Sequence, residues 1–150
     1  MLGGSLYQTY VIKEAVKMGY YVISCDYLPN NPGHRYAHEY YNISTTDKEA
    51  VYKLAKDIQV DGIVAYASDP AAPTAAYVCE KLGLPTSPYS SVEILSRKDL
   101  FRQYLSEHNF NVPNSFSCST YKEALDNLYK INLPAMVKPV DSSGSKGINK

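Results

Sequence analysis

Tryptophan is absent from this 150-residue sequence, and phenylalanine occurs only three times. Aromatic surface comes almost wholly from fifteen tyrosines. Cysteine is scarce as well: Cys25, Cys79 and Cys118 are widely spaced and odd in number. They fit buried thiols in a reducing, cytoplasmic compartment better than a disulfide framework or a zinc site. Charge of neither sign is in excess. Fifteen basic residues balance fifteen acidic ones. No overall field therefore draws the chain to nucleic acid or to an anionic membrane, although a local phosphate site stays open. No apolar run approaches the ~20 residues of a spanning helix. Met1-Leu2-Gly3-Gly4-Ser5 has no basic region followed by an apolar core, so no signal peptide is expected.

What remains is a globular composition, 45% apolar and 20% charged. The length suits one domain, or a small domain plus part of another, and such a chain buries roughly 70% of its unfolded surface. Residues 6–18 carry Tyr7, Val11, Ala15 and Met18 on one helical face, closed by Gly19. Tyr20 to Cys25 is a β-prone run ending at Asp26, and a proline-rich loop follows. His38 to Ile43 reads as a short strand. Thr46-Asp47-Lys48-Glu49 has capping-box spacing ahead of a helix. Gly62 to Ala67 is a further buried strand, turned by Ser68-Asp69-Pro70. A small-residue helix face follows, with Ala72, Ala75, Ala76, Cys79 and Leu82, closed by Gly83. This alternation predicts an α/β fold, a parallel sheet with helices on its faces. The first strand is nearly absent, so a trimmed start is expected.

Leu84-Pro85-Thr86-Ser87-Pro88 marks a domain boundary. Beyond it, Ser90-x-x-Glu93 and Ser96-x-x-Asp99 open two helices, the second turning Leu100, Phe101, Tyr104 and Leu105 inward. Phe116 to Cys118 reads as strand, Thr120-x-x-Glu123 as a capped helix, and Ala135 to Lys138 as strand. The segment from Asp141 to Gly147 is rich in glycine, serine and lysine. Glycines let backbone N–H groups converge on phosphate oxygens, Ser142, Ser143 and Ser145 add hydroxyls, and Lys146 adds charge. The alternative is a plain hairpin turn. Gly144-x-x-Gly147 is not a Walker A spacing. Lys138, at the end of an apolar run, must reach solvent or meet an anion, which favours phosphate.

The stretch from Leu133 to Gly147 resembles the nucleotide-binding segment of the ATP-grasp superfamily. Ser96-Arg97-Lys98-Asp99-Leu100-Phe101-Arg102 and Asn111-Val112-Pro113 resemble the helix and strand that open that domain. Residues 1–90 resemble the pre-ATP-grasp domain, with Gly3-Gly4-Ser5 in its first turn. The likeness covers the whole chain and is nearest the branch of biotin carboxylase, the carbamoyl-phosphate synthase large chain and the purine-pathway carboxylating ligases. It implies a three-layer, Rossmann-like first domain (1–90) and the first part of an α+β nucleotide-binding domain (91–150). It implies an ATP-dependent ligase that activates a carboxylate as an acylphosphate for attack by an amine. Lys138 would contact the phosphates and the adenine edge, and Lys98 the phosphates from the other side. Residues 142–147, Gly144 and Gly147 among them, would close over the β- and γ-phosphates. The loop has two glycines where several relatives have three or four. Magnesium ligands are expected beyond residue 150, so the chain is expected to be a fragment that does not turn over ATP alone. Small carboxylate and amine substrates and a homodimer are the partners implied.

In that family the first domain faces the acceptor substrate. Gly4, Ser5, Asp26, Ser68 and Asp69 fall at predicted carboxyl ends of strands, where open α/β sheets place ligands. Taken singly, each also reads as turn or cap chemistry. A rival reading is an NAD-binding oxidoreductase fragment, since Gly3-Gly4 and Asp26 resemble a dinucleotide site, but G-x-G-x-x-G is absent. A non-catalytic nucleotide-binding module is the third. No catalytic residue and no metal site is assigned. His34 and His38 read as surface histidines, and Cys25 and Cys79 as core.

Overall fold

The computed structural model describes residues 1–142 and 144–150. The chain divides into two units, Met1–Val92 and Glu93–Lys150.

In the first unit β1 (Ile23–Cys25) pairs in parallel with β2 (Glu39–Tyr41), Ile23 opposite Glu39 and Cys25 opposite Tyr41. Leu2 bridges Cys25 on the other side of β1, again in parallel. The Leu2 N–H then donates to the Val64 carbonyl at 2.8 Å. The lateral order is therefore β2, β1, Met1–Leu2 and the segment around Val64. The order reverses at Leu2, and in a doubly wound sheet a ligand crevice opens at such a reversal.

Residues 62–67 are not the buried strand that the sequence predicts. Ile63 and Ala65 pack on the core, while Val64 and Tyr66 are exposed. Leu2 makes a backbone bond to the segment at Val64, and the Tyr66 carbonyl accepts from the Gln8 side chain.

Helix α1 (Leu6–Lys17) ends as its glycine predicts. Gly19 takes φ 88°, and the N–H groups of Gly19 and Tyr20 return to the carbonyls of Val16 and Ala15. Its buried face differs from the expected stripe. Gln8, Thr9 and Ile12 point inward, while Tyr7 and Met18 are exposed. Periodicity misplaced the face because Gln8 finds polar partners inside, which removes the cost of burying it. Helix α2 (Lys48–Asp57) is capped one residue later than the box suggested, with the Asp47 carboxylate accepting from Ala50 N–H at 3.0 Å. Helix α3 (Ala72–Leu82) ends on Gly83 at φ 69°. Thr74 and Val78 widen its buried face.

Helices α2 and α3 pack over Leu2, Cys25, Val51, Ala55, Ala71 and Val78. Helix α1 packs on the 3₁₀ turn Pro32–Tyr36. Alternate residues of β1 serve the two sides: Ser24 bonds His34 of that turn, and Cys25 joins the α2–α3 cluster. This is the expected α/β architecture. Surface tyrosines carry lysines, Lys81 lying 4.5 Å from the Tyr77 ring and Lys48 4.6 Å from Tyr89.

In the chain's second part come α4 (Tyr89–Ser96), α5 (Lys98–Glu107) and α6 (Tyr121–Asp126). Arg97, not Ser96, caps α5, and its guanidinium grips the Asp99 carboxylate with bonds of 3.2 and 2.7 Å. That grip holds the Asp99 carboxyl below its usual range. Phe101 and Tyr104 are exposed rather than turned inward. The Thr120 box forms as expected, Glu123 N–H donating to Thr120 Oγ1 at 3.1 Å and Thr120 N–H to Glu123 Oε2 at 3.3 Å. Residues 116–118 and 135–138 are not ladder strands. A strand needs a neighbour to bond, and among the described residues only Val137 finds one, pairing with Asn149 through bonds of 2.8 and 2.9 Å. None of the described residues of the second unit is buried.

One thiol should react quickly with a maleimide at pH 8. Cys118 is exposed, whereas Cys25 and Cys79 are buried. Burial pushes the Cys25 thiol up to about 11, leaving about one molecule in a thousand as thiolate at pH 8. Mass spectrometry of the labelled native chain should give a single fast adduct, on Cys118. A fast adduct on Cys25 would contradict the packing of β1.

Candidate functional site

The Val137–Asn149 pair closes a hairpin that holds the glycine segment. Gly144 and Ser145 are consecutive left-handed residues, at φ 64° and 59°. Gly147 is also left-handed, and a Cβ there would sit 2.9 Å from Pro139 Cγ, so glycine alone fits without displacement. Lys98 is joined to this loop twice. Its backbone N–H donates to the Val140 carbonyl at 2.9 Å, and its ammonium donates to the Ser142 carbonyl.

The same hairpin walls a cavity of about 110 Å³. Lys98, Lys138 and Lys146 line it, together with Ser142, Gly144 and Ser145. Pro139 and Ile148 complete the wall and were not among the expected residues. Gly147 serves the turn and does not line the cavity. Ser143 lies outside the described residues. Three lysines line this one small space, and such a set of cationic side chains suits an anion with several oxygens. Lys138 reaches the cavity from a loop flank rather than from the strand end that the sequence suggested.

In the first unit, Gly3-Gly4-Ser5 lies at the sheet's reversal point. The structure joins Gly4 to Asp26 directly: the Gly4 N–H donates to Asp26 Oδ2 at 3.0 Å. Asp26 also accepts from Leu28 N–H at 3.1 Å and from the Asn31 amide at 2.8 Å. Its buried carboxylate is thus engaged by three donors of the chain itself. Ser5 N–H donates to Gln8 Oε1 at 3.0 Å, and the Ser5 hydroxyl donates to the same oxygen. Gln8 Nε2 donates to the Tyr66 carbonyl at 2.6 Å, next to Ala67 and Ser68. Ser68 precedes the 3₁₀ turn Asp69–Ala71 that leads into α3, and Asp69 is exposed.

His34 corrects an expectation. It is a packed residue rather than a surface one. Its Nε2 lies 3.0 Å from the Leu28 carbonyl, which can only accept, so that nitrogen carries the proton. Nδ1 lies 2.9 Å from Ser24 Oγ, within hydrogen-bond distance. The ring lies tilted against Tyr40 and covers Gly4. Gln8 and Asn31 also escaped sequence reasoning. The one available signal was position: counted from Gly3, Gln8 stands where G-x-G-x-x-G has its last glycine.

No protein-family model matches the chain. Among curated relatives, the formate-dependent phosphoribosylglycinamide formyltransferase of Burkholderia mallei is 32% identical over 154 residues. That alignment covers 98% of this chain and 37% of the relative, so the chain spans little more than a third of the length of the curated relatives it matches. The N5-carboxyaminoimidazole synthetase of Staphylococcus aureus, solved with ADP, superposes with a TM-score of 0.72 at 22% identity, covering 98% of this chain and 39% of that one. The biotin carboxylase domain of Hydrogenobacter thermophilus 2-oxoglutarate carboxylase, solved as a dimer with MgADP and bicarbonate, gives 0.68 at 19% identity, covering 99% and 36%. The solved structures share the fold, and the curated relative shares sequence along nearly the whole chain. Both likenesses agree with the resemblance carried by the motifs between Gly3 and Gly147.

Proposed function

We propose that the whole protein is an ATP-dependent ligase that activates a carboxylate as an acylphosphate for attack by an amine. Residues 1–90 are the pre-ATP-grasp domain and face the acceptor. Residues 91–150 open the nucleotide-binding domain. The observation that carries this reading is the lysine-lined cavity: Lys98, Lys138 and Lys146 surround one space walled by a glycine-serine hairpin. These residues hold the polyphosphate of ATP and neutralise charge that grows as the γ-phosphoryl moves. Positioning and charge neutralisation supply most of the catalysis in phosphoryl transfer.

The chemistry of the residues fits phosphate. Among the described residues no three His, Cys, Asp or Glu side chains converge to hold a metal ion. Asp141 is the acidic residue of the loop, and magnesium is ordinarily held by one or two carboxylates together with phosphate oxygens and water. Among the described residues no helix is long and apolar enough to cross a membrane. Small-molecule substrates are in keeping with these features, and a homodimer is part of the proposal.

Lys138→Ala should weaken ATP binding by the whole protein about ten- to a hundredfold, the equivalent of a charge-assisted contact worth roughly 1.5–3 kcal/mol. Lys138 is exposed on its loop, so the fold should be unaffected. Isothermal titration of wild type and variant measures the effect, with Lys53→Ala on α2 as an exposed control. Equal affinities in wild type and Lys138→Ala would remove Lys138 from the site and with it the main support for the reading.

A further inference from the structure

Gln8 is the most deeply buried polar residue of α1, with 3% of its surface exposed. Every polar atom of its amide is engaged. Oε1 takes the Ser5 N–H and hydroxyl, and Nε2 reaches the Tyr66 carbonyl across a sequence separation of 58 residues. The two ends of this tie flank the sheet's reversal point, where open α/β sheets place a ligand crevice. One end is the turn Gly3–Ser5. The other is the stretch that delivers Ser68 and Asp69 to the head of α3. Among the described residues, backbone pairing joins these two stretches only at Leu2 and Val64, and Ala67 beyond it takes a left-handed φ of 50°. The side-chain bond is what continues the connection where the ladder stops.

The same side chain occupies space. A Cβ built on Gly3 would meet Gln8 Cδ at 3.2 Å and Oε1 at 3.3 Å, so the amide lies directly over the turn. In a dinucleotide-binding turn the corresponding residues are glycines, which let the pyrophosphate approach the backbone. Here Ser5 and Gln8 stand at two of the three glycine places.

We propose that Gln8 is a positioning residue of the acceptor crevice, tying the Gly3–Ser5 turn to the Tyr66–Asp69 wall and closing the crevice to a nucleotide pyrophosphate. The acceptor role of the crevice rests on the ligase reading above. The tie and the closure belong to the first unit and do not depend on that reading.

The amide's two ends can be tested separately. Gln8→Leu keeps bulk and removes every bond of the amide. Gln8→Glu keeps the oxygen that Ser5 uses and replaces the donor aimed at Tyr66. Amide hydrogen exchange on the chain reads both walls, through the Ser5 N–H and through the Ala71 N–H that donates to the Ser68 carbonyl. In Gln8→Leu both amides should exchange about tenfold faster, as expected for loss of one hydrogen bond of about 1.4 kcal/mol. In Gln8→Glu the Ser5 amide should stay protected while Ala71 accelerates. The amides of Ile12 and Val78 should be unchanged in both variants. Uniform acceleration across the unit, or no change at Ser5 and Ala71, would overturn the positioning role. NAD⁺ added to the wild-type chain should leave the Gly3, Gly4 and Ser5 amide resonances in place, and a saturable shift there would overturn the closure. ATP titrated into the whole protein tests the ligase reading separately. Its failure would leave the tie standing and remove the name of the crevice.

Discussion

Asp26→Ala is expected to destabilise the first unit by about 3–5 kcal/mol, near the upper end for a single substitution. The carboxylate is 7% exposed and takes three donors from one short stretch of chain and one distant turn. Hydrogen bonds to a charged acceptor contribute roughly 1.5–3 kcal/mol each, and a buried donor left without a partner costs about 1–3 kcal/mol. Water can replace the carboxylate at the Leu28 and Asn31 donors, whose surroundings open to the loop. It cannot easily do so at Gly4 N–H, which is buried against the His34 ring. Asp26→Asn separates charge from shape. Its oxygen can keep the Gly4 and Asn31 donors, and its NH₂ must then face the Leu28 N–H. About 1–2 kcal/mol should be lost in that variant. Urea unfolding at pH 7 measures both, and the order wild type, Asp26→Asn, Asp26→Ala is the expected ranking. A wild-type midpoint for Asp26→Ala would mean that the three bonds do not support the turn.

The consequence reaches function through Gly4. Asp26 at the end of β1 resembles a ribose-binding acid in sequence. In the folded chain its oxygens are occupied by the protein, so its contribution is to fix the turn on which any ligand of the crevice would rest.

Helix ends and order were legible because their causes are local. Gly19 and Gly83 stop α1 and α3 in the left-handed region that glycine enters freely, and Thr120 with Glu123 closes its own box. The lysine and glycine positions around the hairpin were legible as a motif. Strand status was not. Residues 62–67, 116–118 and 135–138 have β-prone composition, but a ladder depends on a neighbour at hydrogen-bonding distance, which composition does not encode. The buried face of α1 was misread for a related reason. Gln8 is polar, and only the Tyr66 carbonyl, far away in sequence, makes it an interior residue. His34 likewise looks like a loop histidine until Ser24, Leu28 and Tyr40 surround it.

Gly4→Ala should cost about 3 kcal/mol or more, the upper range for inserting one methyl group into a packed site. A Cβ on Gly4 would lie 2.2 Å from His34 Cε1, 2.6 Å from Nδ1 and 2.8 Å from Nε2. Either the ring or the backbone must move. The ring is bonded at both nitrogens, to Ser24 and to the Leu28 carbonyl, and it rests on Tyr40 with ring centroids 3.9 Å apart. The backbone is no freer. Gly4 N–H is held by Asp26, and Gly4 C=O accepts from Gly33 N–H at 2.7 Å. Gly33 cannot yield either, since a Cβ at that position would meet the Gly4 carbonyl oxygen at 2.7 Å, so the two segments touch backbone to backbone. The clash therefore has no inexpensive exit, and a double-mutant cycle identifies its source. His34→Ala alone should cost about 1–3 kcal/mol, for its two bonds and its ring contact. Combined with Gly4→Ala it removes the ring that the new methyl strikes. The double variant should then be more stable than the sum of the single effects by about 1–3 kcal/mol, the range seen for residues in direct contact. Additive losses in urea unfolding would show that the methyl group strains something other than His34. A Gly4→Ala chain as stable as wild type would show that the turn and the histidine are not packed together at all.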